Sequence, residues 1–241
     1  FVNAMESIYV QQNPGKNLDI FRRWYSQAGT PRVTVELSYD QQTQSCSITL
    51  SQHCDPVGIE KLLTPPHVKP PLHIPFALGL LDQAGKPLPI HHQGHTHDTI
   101  LLELCAERQT WVFDKVPEAP IPSLLRNFSA PVIVEYQRSN AELALLARHD
   151  TDPFARWEAG QELANRQLLE MVQACQTKQP LTVHPDFIET WRAVLEDPQL
   201  TPAYRAWALT LPAEKILLEK TTPMDPAAVT TARTELRGVL G

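Results

Sequence analysis

Catalytic signatures are the first thing this sequence lacks. No HExxH occurs, so no helix offers zinc two histidine ligands and a glutamate base. P-loop and GxGxxG patterns are missing, which leaves phosphate and dinucleotide cradling unsupported. There is no GxSxG nucleophile elbow. Cysteine is scarce: Cys46, Cys54, Cys105 and Cys175 contain no CxxC pair. Disulfide frameworks belong to small, Cys-dense secreted chains, so reduced thiols in a cytoplasmic protein are expected. A Cys46–Cys54 pair across a hairpin stays open. No apolar run approaches the ~20 residues a membrane span needs, and no signal peptide is evident. Basic residues are scattered, with only short pairs such as Arg22–Arg23, and the net charge is −6. Phosphate backbones need a clustered basic face, so nucleic acid is not expected as a partner.

What is present suits a globular chain of one or two domains, with 42% hydrophobic and 20% charged residues. At the start, Phe1, Met5 and Ile8 recur at helical spacing until Asn13-Pro14-Gly15 interrupts them. A second helix is predicted with Leu18, Phe21, Trp24 and Tyr25 on one side, closed by Gly29-Thr30-Pro31. Because the chain opens with Phe1 inside a helical pattern, its true N-terminus is expected upstream.

The period then changes to two. Val33, Val35, Leu37 and Tyr39 alternate with polar residues, as do Cys46, Ile48 and Leu50. Such alternation marks strands with one dry face and one wet face. Further strands are predicted at His73–Leu81, Thr99–Leu104, Thr110–Phe113 and Pro131–Tyr136, with a turn over Asp82–Lys86. Short strands separated by turns predict a sandwich or barrel. The Pro-rich stretch Thr64–Pro71 is read as loop or edge, since proline gives a ladder no N–H.

Near Ser139 the period becomes 3.6. Ser139 and Glu142 fit a capping box. Pro153, Pro185, Pro202 and Pro226 each sit where a first helical residue is expected, a position whose N–H has no intrahelical partner. Phe154, Trp157, Ala164, Leu168, Met171 and Cys175 make an apolar stripe. These helices need neighbours to cover their apolar faces, so residues 138–241 read as the start of a helical array.

One segment has the composition of a metal site: His91-His92-Gln93-Gly94-His95-Thr96-His97-Asp98. His95 and His97 act together if the segment is extended. The competing reading is a solvated loop, because nothing nearby fixes a tetrahedron or a supporting outer shell. The cluster Arg148-His149-Asp150 with Asp152 suggests a general-base pair, against helix capping and surface ion pairs. Cys175 ends an apolar stripe and reads as core. Trp24, Trp111, Trp157, Trp191 and Trp207 read as core anchors. Beyond His95 and His97 as weak metal candidates, no catalytic, cofactor-binding or metal residue is assigned.

Taken in order, several segments resemble bacterial aminopeptidase N, a family of zinc metallopeptidases. Phe1-Val2-Asn3-Ala4-Met5-Glu6 resembles the end of its thermolysin-like catalytic domain. Phe21-Arg22-Arg23-Trp24-Tyr25-Ser26-Gln27-Ala28-Gly29-Thr30-Pro31 is similar to the junction leaving that domain. Pro71–Ala77 and Phe128–Val132 resemble strands of its small β domain, and Arg148–Glu158 resembles the opening of its C-terminal helical domain. The resemblance implies a multidomain β + α fold: a small antiparallel, Ig-like β-sandwich over 31–137 and an all-α array over 138–241. Residues 1–30 would be the last helices of the catalytic domain. It further implies a parent enzyme that removes N-terminal residues from peptides with one zinc ion. The HExxH and GAMEN-type motifs that bind zinc and substrate belong upstream of Phe1. The expected partners are then the rest of the same polypeptide and the parent's peptide substrates. An autonomous sandwich module binding peptide or glycan is the alternative, and a metal-binding protein built on residues 91–97 is a third.

Overall fold

The structure, a computed structural model, describes residues 1–65 and 68–241. Two compact units emerge: Phe1–Asp82 with Leu88–Gln137, and Gln83–Pro87 with Arg138–Gly241.

The first unit opens with α1 (Val2–Gln12), which buries none of its residues. The second helix expected from sequence is a 3-10 turn over Phe21–Tyr25. The physical reason is tertiary. The Trp24 indole N–H donates to the His73 carbonyl at 2.8 Å, and the Arg23 guanidinium donates to the Pro71 carbonyl. These bonds fix the segment against the strand ahead, while Asn17 turns the chain by accepting from the Asp19 N–H.

Among the described residues ten strands follow: β1 (Arg32–Asp40), β2 (Ser45–His53), β3 (Ile74–Leu81), β4 (Pro87–Leu88), β5 (Ile90–His92), β6 (His95–His97), β7 (Ile100–Leu104), β8 (Arg108–Phe113), β9 (Ile121–Leu124) and β10 (Ile133–Glu135). The first sheet runs β10-β1-β2-β8, antiparallel except for the parallel pair β1–β10, where Arg32 faces Ile133. In the second, β4 and β7 flank β3, and β9 also pairs with β3. β5 and β6 form a separate hairpin. Val33, Val35, Cys46, Ile48 and Leu50 from one sheet, and Ile74, Phe76, Leu78, Leu102 and Leu104 from the other, are buried. Burying each large aliphatic side chain contributes roughly 1.5–3 kcal/mol. The alternation over 33–50 therefore marks the inner face of a sandwich.

One open alternative closes here, and one expectation needs correction. Cys46 and Cys54 do not face each other across a hairpin. Cys46 lies near the start of β2 and Cys54 just beyond its end, and both are free thiols. The tryptophans are not uniformly core: only Trp191 is buried, while Trp24, Trp111 and Trp157 are half-buried and Trp207 is 47% exposed. Within Thr64–Pro71, Pro66 and His67 lie outside the described residues, and the rest carries no strand. There Lys69 is held by the carbonyls of Ala28 and Asp55 and by Glu60 at 2.7 Å.

The second unit is helical: α2 (Asn140–His149), α3 (Pro153–Gln176), α4 (Pro185–Glu196), α5 (Pro202–Ala208), α6 (Glu214–Lys220) and α7 (Pro226–Leu240). The capping box forms as expected, with the Glu142 N–H donating to the Ser139 hydroxyl and the Ser139 N–H to the Glu142 carboxylate. Proline opens α3, α4, α5 and α7. α3 is the central helix, packed by α2 and α7, with Ala164, Leu168 and Met171 buried. Phe154, Trp157 and Cys175 at the ends of that stripe are only half-buried. Trp157 stacks on Trp207 with ring centroids 4.6 Å apart.

Candidate functional site

The histidine-rich segment is extended, not a loose loop. Gln93 and Gly94 both take positive φ, 50° and 81°, and close the two-residue β5–β6 hairpin. That geometry favours glycine at the second position. His95 and His97, two apart on β6, share a face with ring centroids 6.3 Å apart. His92 packs edge-on against Phe113, and the His91 ring pairs with the Thr96 hydroxyl at 3.0 Å. Among the described residues no three His, Cys, Asp or Glu side chains are grouped to hold a metal ion. Two neighbouring imidazoles with no third protein ligand fall short of the three or four a zinc site uses.

The hairpin forms one wall of a groove of about 670 Å³. Its floor comes from the open side of the sandwich, where the edge strands β7 and β8 are not paired to each other. Trp111 and Gln109 reach it from the inner face of β8, in register with Ile48 and Leu50 of β2. Five consecutive residues, Thr99–Glu103, line it, the last four of them from β7. Lys16 closes the far end, 2.6 Å from Glu103, and that hydrogen bond raises the ammonium pKa. Lys16 and Glu103 were not singled out from the sequence, and Trp111 was read there as a core anchor, not as a groove residue. Their proximity depends on sheet order, and no local pattern announces it.

The Arg148-His149-Asp150-Asp152 cluster serves to end one helix and begin another. Asp152 caps α3 by accepting from the Ala155 N–H at 2.8 Å, and Asp150 accepts from the Asp152 N–H. Among the described residues no hydrogen bond joins His149 to either carboxylate, so these three assemble no general-base dyad. Partial burial and the nearby Arg148 and Arg156 hold its imidazole below the ordinary value. Burial raises the Cys175 thiol, and the carboxylates of Asp225 and Glu235 add to that. Burial pushes Cys46 up to about 11. Nucleophilic cysteines need the opposite shift.

Residues 29–137 match a family model described as a domain of unknown function (DUF3458) with an Ig-like fold. Residues 140–241 match its companion (DUF3458_C), described as ARM repeats. The chain is 40% identical over 243 residues to aminopeptidase N of Escherichia coli (strain K12), covering 100% of this chain and 26% of that protein. To aminopeptidase N of Haemophilus influenzae it is 32% identical over 235 residues, covering 97% of this chain and 25% of the relative. A crystal structure of Legionella pneumophila aminopeptidase A in complex with aspartic acid superposes with a TM-score of 0.76 at 24% identity, covering 99% of this chain and 25% of that one. At that identity the likeness bears on the fold alone. The chain spans about a quarter of the length of the curated relatives it matches. One domain model follows the other along an alignment that spans the whole chain, so the chain carries a DUF3458 Ig-like domain and its helical companion and is similar from end to end to about a quarter of aminopeptidase N.

Proposed function

We propose that this chain is the non-catalytic part of a zinc-dependent aminopeptidase that removes N-terminal residues from peptides. The observation that carries the reading is the end-to-end match to about a quarter of aminopeptidase N, in a chain without HExxH. In this reading residues 1–30 close the catalytic domain, 31–137 form a spacer sandwich, and 138–241 begin a helical domain that shields the active site and restricts access to unfolded peptides. The parent's zinc is assigned to sequence outside this chain. The described residues offer no group of ligands that fits it, and no step of the chemistry is routed through them. His95 and His97 carry at most adventitious metal, which low imidazole would displace. The chain's partners are the remaining domains of its own polypeptide. Its compartment is the cytoplasm, a placement consistent with the free thiols; separately, no described helix is long and apolar enough to cross a membrane.

The reading frame ahead of Phe1 tests this. An HExxH with a later glutamate ligand is expected there. A gene that starts at this residue, or a preceding region without such a zinc helix, overturns the proposal.

A further inference from the structure

The edge of β7 exposes backbone, and the register shows which groups. Pro75 of β3 faces Glu103 of β7. Proline has no N–H to give the ladder, so this pair is a non-hydrogen-bonded one. The next pair of that kind is Ala77–Leu101, and the Ala77 N–H indeed turns away from β7, donating to the Ser129 hydroxyl at 2.9 Å. The N–H and C=O groups of Leu101 and Glu103 therefore point away from β3, toward the groove that these residues line. No described residue bonds them. Leu101 adds an apolar side chain that is 57% exposed.

An edge of this kind is completed by another extended backbone. The groove also states what side chains that backbone should bear. His92, His95 and His97 line it with imidazoles able to donate hydrogen bonds to an anion, and Glu103, the one carboxylate among its lining residues, is already paired with Lys16. We infer that the groove is a β-augmentation site, in which an extended acidic peptide pairs with the outward edge of β7 and turns its carboxylates toward the histidine hairpin. The inference is independent of the parent's peptidase activity, because no reacting group takes part.

The test uses this 241-residue chain. A fluorescein-labelled peptide alternating Glu and Val is titrated by anisotropy, beside a Lys–Val control. Saturable binding of the acidic peptide alone is expected. Leu101→Pro removes one outward N–H without touching the β3–β7 ladder, and should weaken binding by roughly tenfold, while Leu101→Ala changes it by less than about threefold. The His95→Ala/His97→Ala variant removes two imidazoles that face the peptide's carboxylates, and should weaken binding of the acidic peptide. Should Leu101→Pro melt early, amide exchange in the unaltered chain decides: bound peptide should slow the Leu101 and Glu103 amides. Equal binding of the basic peptide, unchanged exchange, undiminished affinity of a folded Leu101→Pro, or occupancy by oligosaccharide alone overturns the inference.

Discussion

Gln52 shows how one polar side chain joins parts of the sandwich distant in sequence. It is buried, donates to the carbonyls of Leu72 and Ala106, and accepts from the Leu72 N–H at 2.8 Å. Gln52→Leu keeps the volume but strands that amide and both carbonyls. A buried unpaired group costs about 1–3 kcal/mol, so urea denaturation should show a loss of at least that order. Glu158 of α3 behaves differently. Burial raises its carboxyl pKa, Glu162 adds to the rise, and Arg138 opposes it. A pKa raised in the folded state gives stability that is complete below the unfolded value and is lost as pH rises through the folded one. Glu158→Gln should therefore raise the melting temperature at pH 7 and leave it nearly unchanged at pH 4. An equal shift at both values would contradict this. Gln52 was half-legible in the sequence: it continues the inward phase of Cys46, Ile48 and Leu50, but its partners lie 20 and 54 residues away. The burial of Glu158 depends on how α3 packs in the helical unit, which its helical period alone does not show.

Among the elements, the helix starts were the most legible, because their chemistry is local. Ser139→Ala removes the oxygen that takes the Glu142 N–H, and should destabilise the helical unit by about 1 kcal/mol in thermal unfolding. No change would mean that solvent serves that amide equally well. The long strands β1 and β2 were readable for the same reason, since nine residues each suffice to display a period of two. The strands β4, β5, β6 and β9 run two to four residues, too short for any period. Thus the histidine hairpin was legible as a composition and not as a strand pair. The second helix was overread because Leu18, Phe21, Trp24 and Tyr25 have helical spacing, while bonds to the backbone at 71–73 decide their conformation. The candidate groove was invisible for a related reason. It exists only because β7 and β8 end two different sheets on the same side of the sandwich, although Pro75 in a central strand was a written sign of an outward-facing amide.

For the molecule as a whole, the chain passes from the first folded unit to the bulk of the second at Gln137–Arg138, Gln83–Pro87 also belonging to the second, and the whole aligns with about a quarter of aminopeptidase N. Each unit holds a core of its own, in the sandwich around Phe76 and Phe113 and in the helices around Leu168 and Leu236. Neither holds an assembled nucleophile, general-base pair or metal cluster among its described residues. The account therefore stands on a division of labour along the polypeptide. Hydrolysis of an alanine-linked chromogenic amide, followed side by side for this 241-residue chain and for its uninterrupted gene product with zinc supplied, tests it most directly. Turnover by the longer product alone is predicted; turnover by this chain, or by neither, would contradict it.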